Sequence, residues 1–226
     1  SRGLGDVYKR QLGHFPCKLL IATSNWLKMN HSATANEIIE VTQEELSRAS
    51  LQKTPQEVLA VFVQPSYDLN PEVIKSSLCL ALDDVQDPGN LGTIIRLADW
   101  FGIEHIFCST GTADVYNPKT VQATMGALAR VKVHYCSLPQ LIESLTDIPV
   151  YGTFLNGNII YTESLSAHGL IVMGNEGKGV SLEVEKLINN KLYIPNYPQE
   201  RETSESLNVA IATAVVCSEF RRRLLP

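Results

Sequence analysis

Residues 78–96 read LCLALDDVQDPGNLGTIIR, and this stretch indicates the class of fold. An apolar run is followed by acidic and polar residues, then by Pro88-Gly89, then by apolar side chains at helical spacing. A short apolar run bounded by turn residues predicts a strand buried on both faces. The stretch therefore predicts a strand over 78–85, a turn, and a helix over 91–101, which together form the repeating unit of an α/β fold.

The same alternation continues to the C-terminus. Because several of the strands are apolar throughout, they indicate a mostly parallel sheet covered on both faces. The further strands are predicted at 105–109, 132–136, 150–155, 169–173 and 191–194, and the further helices at 118–128, 138–145, 182–188 and 206–224. Sheets of this kind bind ligands beyond the carboxyl ends of their strands. The polar segments 83–92, 174–181 and 195–208 follow strands, so they predict one site built from three loops.

The N-terminal third has a weaker pattern. Residues 1–13 have no periodicity and no initiating Met, and they are interpreted as a ragged or foreign leader. Strands are expected at 18–23 and 58–63, with a helix at 42–49 whose Thr42 and Glu45 have capping-box spacing. Two prolines in residues 64–71 indicate a linker. The expected domains are a partial small α/β domain over 14–69 and a larger domain over 70–226.

Composition limits the classes of function. The chain has 226 residues and a net charge of −5, which disfavours a nonspecific nucleic-acid coat but leaves room for a local cationic site. Its five cysteines are odd in number and lack CxxC spacing, so they are interpreted as buried reduced thiols of a cytoplasmic protein. No apolar run has the length of a membrane helix, so no membrane association is expected.

The first polar segment contains Asn90 and Arg96. The spacing favours Asn90 as the N-cap of the following helix, and a surface ion pair would account for Arg96. No GxGxxG fingerprint is present.

The second segment, GLIVMGNEGKGVS (169–181), is a strand that leads into a loop with three glycines. Glycines let a backbone approach a ligand closely. The loop lacks P-loop spacing, and Glu176 would oppose a phosphate. The segment therefore indicates an uncharged or zwitterionic ligand bound through backbone groups, and Ser181 is expected to cap the next helix.

The third segment contains Ser206 and Asn208 before a run of small and apolar residues. Ser206 is expected to be an N-cap, with Asn208 in the first turn. A structural role for each remains open, because polar residues at a buried helix start need partners.

The three segments together closely resemble the motifs of a known family. LDDVQDPGNLGTIIR, IVMGNEGKGVS and IP…ESLNVAIA occur in the order and separation of the SpoU/TrmH family of RNA 2′-O-ribose methyltransferases. The resemblance covers about residues 78–217. Residues 44–62 are similar to the end of that family's N-terminal substrate-binding domain.

The resemblance implies an α/β fold with a C-terminal trefoil knot, a homodimer, and S-adenosylmethionine held by the knot loops. No metal is implied, because the sulfonium is already a good leaving group. The implied cofactor-binding residues are Thr153, Gly174, Asn175, Gly177, Ile194 and Leu207. The implied catalytic set is Arg96, Asn90, Glu176, Ser206 and Asn208.

Within that set, the resemblance assigns Arg96 to activating the ribose hydroxyl. Because arginine stays protonated, stabilising the developing alkoxide is the simpler role. Asn90, Ser206 and Asn208 would position the arginine and the ribose, and Glu176 would fix the knot loop.

RNA contacts are expected from local cationic side chains, namely Lys119, Arg130, Lys178 and Arg201. Arg221, Arg222 and Arg223 are attributed to the helix dipole. Trp26 and Trp100 are attributed to the core. Residues 196–205 depart from the family pattern, because the loop is longer and lacks glycine. Ribosomal RNA is the preferred substrate. A transfer RNA ribose methyltransferase and a non-catalytic knotted RNA-binding module remain alternatives.

Overall fold

The computed structural model describes residues 15–50, 54–198, 201 and 206–224. The chain divides into two compact units between Ser66 and Tyr67. The expected leader at 1–13 lies outside the described residues, as does most of the irregular loop after residue 198.

The N-terminal unit is built on a three-stranded mixed sheet of order β2-β1-β3. Strand β1 runs parallel to β2 and antiparallel to β3. The elements are β1 (Cys17–Thr23), α1 (Ser24–Met29), β2 (Glu37–Val41), α2 (Gln43–Ala49) and β3 (Val58–Phe62). The predicted capping box is confirmed, since Thr42 and Glu45 bond reciprocally at the start of α2.

The C-terminal unit is built on a six-stranded sheet of order β6-β5-β4-β8-β7-β9. All its strand pairs are parallel, which confirms the prediction from the apolar runs. Its strands are β4 (Leu78–Leu82), β5 (His105–Cys108), β6 (Lys132–Tyr135), β7 (Val150–Ile159), β8 (Gly169–Met173) and β9 (Asn190–Tyr193). Its helices are α3 (Val73–Ser76), α4 (Pro88–Trp100), α5 (Pro118–Thr124), α6 (Leu138–Glu143), α7 (Leu182–Glu185) and α8 (Val209–Arg222).

The two central strands carry the core. Every residue of β4 and β8 is buried, so these strands lie between helical layers on both faces. Helix α4 packs closely on α5 at Gly92, where an added Cβ would lie 2.5 Å from the Thr120 carbonyl oxygen. Gly92 therefore serves helix packing.

The starts of α4 and α8 differ from the prediction. Asp87, and not Asn90, is the N-cap of α4, and its carboxylate accepts from the Asn90 backbone N–H at 2.8 Å. Pro88 takes the first helical position, where its missing N–H costs nothing. Asn208, and not Ser206, is the N-cap of α8, and its side chain accepts from Ala210.

The end of α8 is fixed by specific contacts of its three arginines, beyond the helix dipole that the sequence indicated. Arg221 donates to the carbonyls of Phe101 at 2.6 Å and Gly102 at 3.0 Å. Arg223 donates to the carbonyl of Tyr161 at 2.6 Å.

Glu219 completes this end of α8. It is only 5% exposed and pairs with Arg222 and Arg223, each at 2.7 Å. These partners lower the pKa of Glu219 to about 2.

The five cysteines are free thiols, and four of them are buried. Burial raises the pKa of Cys79 and Cys217 to about 12, so these thiols stay protonated and unreactive.

Of the two tryptophans, Trp26 is 7% exposed and in the core, but Trp100 is 83% exposed and its predicted core position is wrong. Within the described chain, no helix combines the length and apolar content needed to cross a membrane.

A histidine pair joins β5 and β6, with His134 buried and His105 half-buried. His105 Nδ1 and His134 Nε2 lie 3.1 Å apart, and the rings stack at 5.4 Å with an interplanar angle of 7°. Phe107 stacks on His134, and Tyr67 meets its edge. Burial, with His105 and Lys132 nearby, lowers the pKa of His134 to about 4.

This pair predicts a pH-dependent stability. An unfolded histidine binds a proton below about pH 6.5, whereas folded His134 resists it until about pH 4, so the free energy of unfolding falls as pH falls through that window. The expected loss is about 2 kcal/mol between pH 8 and pH 5, measured by urea denaturation. His134→Phe keeps the stacking and should flatten most of this dependence. Exposed His31 is the control: His31→Gln should leave the profile unchanged, and a flat wild-type profile contradicts the prediction.

Candidate active site

One cavity of about 550 Å³ lies where β8 and β9 end. Its walls come from the end of β8, the glycine loop that follows, part of β7, and the start of α8. All six residues expected to bind a cofactor line it: Thr153, Gly174, Asn175, Gly177, Ile194 and Leu207. The structure thus brings together part of β7, the glycine loop and the residues around the start of α8, which are far apart in the sequence. No residue of the first polar segment, 83–92, lines the cavity.

The glycine loop is shaped by close backbone contacts. A Cβ on Gly174 would lie 2.3 Å from the backbone of Gly179, so only glycine fits there. Asn175 and Gly179 exchange two backbone hydrogen bonds of 2.9 Å. The Asn175 side-chain oxygen accepts from the N–H groups of Gly177 and Lys178. The polar atoms of Asn175 already bond within the protein, so this residue shapes the loop. Polar contacts to a ligand would therefore come from other residues of the loop.

The loop is also bonded to the segment before α4. The Asn175 amide donates to the carbonyl of Asp84 at 2.8 Å. The buried Asp83 carboxylate accepts from the Ser181 N–H at 2.7 Å. Ser181 occupies the N-cap position of α7, as predicted, but its side chain makes no cap bond. The first and second polar segments therefore hold each other in place.

Three residues of the expected catalytic set form a chain of hydrogen bonds. The Asn90 amide N–H₂ donates to the Glu176 carboxylate at 2.9 Å, and the Asn208 amide donates to the Asn90 oxygen at 3.1 Å. The Asn208 oxygen in turn caps α8. A carboxylate only accepts, so it sets the orientation of both amides. This chain, here called the amide relay, consists of Glu176, Asn90 and Asn208.

Ser206 and Arg96 lie outside the relay. Ser206 lines the cavity beside Leu207. Arg96 lies on α4 about 120° around the helix from Asn90, by helical geometry. It is exposed, and no ion pair links it to another described residue, so the expected surface salt bridge is absent among them. Within a single subunit, Arg96 is therefore not part of the amide relay.

Comparisons with known proteins agree with this geometry. A model of the SpoU rRNA methylase family matches residues 77–218. The 23S rRNA (guanosine(2553)-2′-O)-methyltransferase RlmP of Bacillus subtilis is 34% identical over 184 residues, covering 80% of this chain and 71% of that protein. The chain belongs to the SpoU rRNA methylase family. The resemblance drawn from the three motifs is thus confirmed.

Solved structures of SpoU and TrmH proteins have the same fold. A TrmH-family protein from Porphyromonas gingivalis superposes with a TM-score of 0.84 and 41% identity, covering 96% of this chain and 87% of that one. The SpoU methyltransferase AviRb from Streptomyces viridochromogenes, solved with its cofactor AdoMet, gives a TM-score of 0.83 with 26% identity and covers 97% and 88%. The C-terminal trefoil knot comes with this family.

The part of the cavity wall formed by a bulge in β7 was not predicted from the sequence. Leu192 of β9 pairs with both Thr153 and Asn158 of β7, so residues 154–157 bulge out between these two pairings. A Cβ on Gly157 would lie 2.5 Å from the Leu192 backbone, which explains the glycine. The bulge presents Leu155, 76% exposed, to the cavity. Gly157 was the available signal, but the close partner that requires it lies far along the chain.

A charged corner of the cavity was also missed. Glu185 lines the cavity and pairs with Lys191 at 2.5 Å. The Lys191 ammonium lies 4.8 Å from the centre of the Phe154 ring. The pair links α7 to β9 and leaves a carboxylate on the cavity wall.

Among the described residues, no three His, Cys, Asp or Glu side chains are grouped to hold a metal ion.

The four expected RNA-binding cations fall into two classes. Lys119 pairs with Asp87 at 2.7 Å, and Arg130 makes two bonds to Asp99 at 2.7 and 2.6 Å. Lys178 and Arg201 are exposed and have no ion pair with another described residue. Lys119 and Arg130 therefore pair with carboxylates of the fold, whereas the charges of Lys178 and Arg201 are free of such pairs and can contact RNA phosphates.

The relay predicts a separation of stability from activity at Asn208. Asn208→Ala removes the cap of α8 and should lower the free energy of unfolding by about 1 kcal/mol. Asn208→Asp keeps a good cap, but its carboxylate cannot donate to Asn90, so the relay is broken in both variants. We expect Asn208→Asp to be more stable than Asn208→Ala, because it keeps the cap, and yet to lose methyl transfer as completely. Thermal unfolding and an RNA methylation assay measure the two effects, and an active Asn208→Asp enzyme would falsify the role of the relay.

Proposed function

We propose that this protein transfers a methyl group from S-adenosylmethionine to a ribose 2′-hydroxyl of ribosomal RNA. The observation that carries the proposal is the amide relay beside a cavity whose walls contain all six expected cofactor-binding residues. A relative named for 2′-O-methylation of 23S rRNA supports ribosomal RNA as the substrate.

The cavity suits this cofactor. Its volume of about 550 Å³ is within the usual range for small-molecule sites. Leu155 and Leu207, which are 76% and 48% exposed, offer apolar surface for an adenine ring. The Glu176 carboxylate lies on the wall without an ion pair to another described residue, which favours a ligand carrying a cationic group. When bound, S-adenosylmethionine supplies a methyl group on a cationic sulfur, which leaves without help from a metal.

Arg96 is the proposed catalytic group. Its guanidinium is a permanent cation, so it stabilises the negative charge that develops on the ribose oxygen. Asn90 and Asn208 keep α4 and α8 in register around the site, while Ser206 lies on the cavity wall to orient the ribose. Glu176 holds the glycine loop by accepting from Asn90.

The remaining proposals concern the domains and the cell compartment. Residues 14–69 serve as part of an RNA-binding domain, and residues 70–226 as the knotted catalytic domain. The free, buried thiols suit the cytoplasm, the proposed compartment.

The enzyme is proposed to act as a homodimer through the outer face of α4 and α8. Trp100 and Ile211 are 83% and 55% exposed there. Aromatic residues are enriched in interfaces of this kind. Arg96 is one turn from Trp100 on the same side of α4, so dimer formation brings each arginine to the interface.

Trp100→Arg tests the dimer. Replacing this apolar ring by a further charge on the proposed face should shift the protein to monomer in sedimentation velocity. Leu182, 75% exposed at the start of α7, provides the control, and Leu182→Arg should stay dimeric. The proposed face is wrong if Trp100→Arg sediments like the wild type.

The activity itself is tested by incubating the enzyme with labelled S-adenosylmethionine and total RNA, followed by mapping of the modified nucleotide. We expect one ribose of ribosomal RNA to be methylated. Arg96→Ala should abolish transfer and leave cofactor affinity in calorimetry nearly unchanged, because Arg96 does not line the cavity. Near-normal turnover by Arg96→Ala would exclude the assigned role.

The same assay distinguishes the alternatives. Label in transfer RNA alone would identify a different substrate. Cofactor affinity without transfer to any RNA would identify a non-catalytic module.

A further inference from the structure

The turn after β9 is a braced element at the edge of the cavity. Tyr193, which lines the cavity, donates its hydroxyl to the Asn196 oxygen at 3.0 Å. The Asn196 amide donates to the Arg201 carbonyl at 3.1 Å, and the Arg201 N–H donates to the Pro198 carbonyl at 3.0 Å. Both ends of the Asn196 side chain are therefore engaged. This fixes the position of the turn relative to the cavity wall.

The braced turn presents an aromatic ring to solvent. Tyr197 follows Asn196 directly and is 92% exposed, although Ile194, three residues earlier, lines the cavity. Arg201 lies across the same turn, is exposed, and has no ion pair with another described residue. An exposed aromatic residue and an exposed cationic residue thus belong to the same turn beside the site.

We propose that Tyr197 stacks on an unpaired base of the RNA substrate next to the methylated ribose, with Arg201 contacting a neighbouring phosphate. The inference rests on the proposed function and names a substrate-positioning residue for it. Proteins recognise single-stranded RNA by stacking splayed bases on aromatic side chains. Stacking does not require positive charge, so it suits a chain with a net charge of −5.

A matched pair of variants tests the stacking. Tyr197→Phe keeps the aromatic ring, whereas Tyr197→Leu keeps an apolar side chain without it. Tyr197→Leu should raise the KM for RNA about tenfold, the size expected for one lost stacking partner, with kcat unchanged. Tyr197→Phe should retain the wild-type KM. Tyr161, 48% exposed in the same unit, is the control, and Tyr161→Leu should have no effect on KM.

Cofactor affinity in calorimetry and the sedimentation coefficient are measured for each variant. A wild-type KM in Tyr197→Leu overturns the inference. A weakened cofactor affinity would make Tyr197 part of the cofactor site, and a change in sedimentation would make it a dimer contact, so either result also overturns it. If the wild-type enzyme methylates no RNA, the proposed function fails. A failure confined to Tyr197 leaves that function standing.

Discussion

The Asn90 amide lies between two partners with opposite demands. Its N–H₂ group faces a carboxylate that can only accept, and its oxygen faces an amide that donates. Through these two bonds the start of α4, the glycine loop and the start of α8 are held together. Each of the three segments has one member of the relay, so the geometry of the cavity depends on a contact that no single segment can make.

Further contacts lock the same three segments from outside the cavity. Asp83 and Asn175 join the glycine loop to the residues before α4. At the other end of α8, Arg221 bonds to the carbonyls that terminate α4. Helices α4 and α8 are thus tied near both their starts and their ends, which keeps Asn90 and Asn208 aligned.

The sequence predicted the sheet well because buried parallel strands are apolar throughout, and that pattern is local. It predicted which residues line the cavity because three motifs matched a family together. The sequence prediction failed at helix starts, where several nearby residues can act as the N-cap and the neighbouring residues decide which one does. Pro88 prefers the first helical position, so Asp87 becomes the cap and frees the Asn90 side chain for the relay.

Features that depend on distant partners were beyond sequence reasoning. The bulge of β7 forms because Leu192 pairs on both sides of it, and nothing near residue 155 encodes that partner. The same holds for His105 and His134, which pair across two strands. Trp100 was assigned to the core because tryptophan is a large apolar residue, but at the end of α4 it is 83% exposed.

The distribution of charge explains how an acidic chain can act on RNA. Several cations already bond within the protein: Lys119, Arg130, Lys191 and Arg222 are ion-paired, and Arg221 and Arg223 bond to backbone carbonyls. Arg96, Lys178 and Arg201 keep exposed charges without an ion pair to another described residue. Lys18, Lys28 and Lys186 are exposed as well and form no ion pair with another described residue. We therefore expect these separate charges to bind phosphates, while stacking, shape and positioned hydrogen bonds select one site among many.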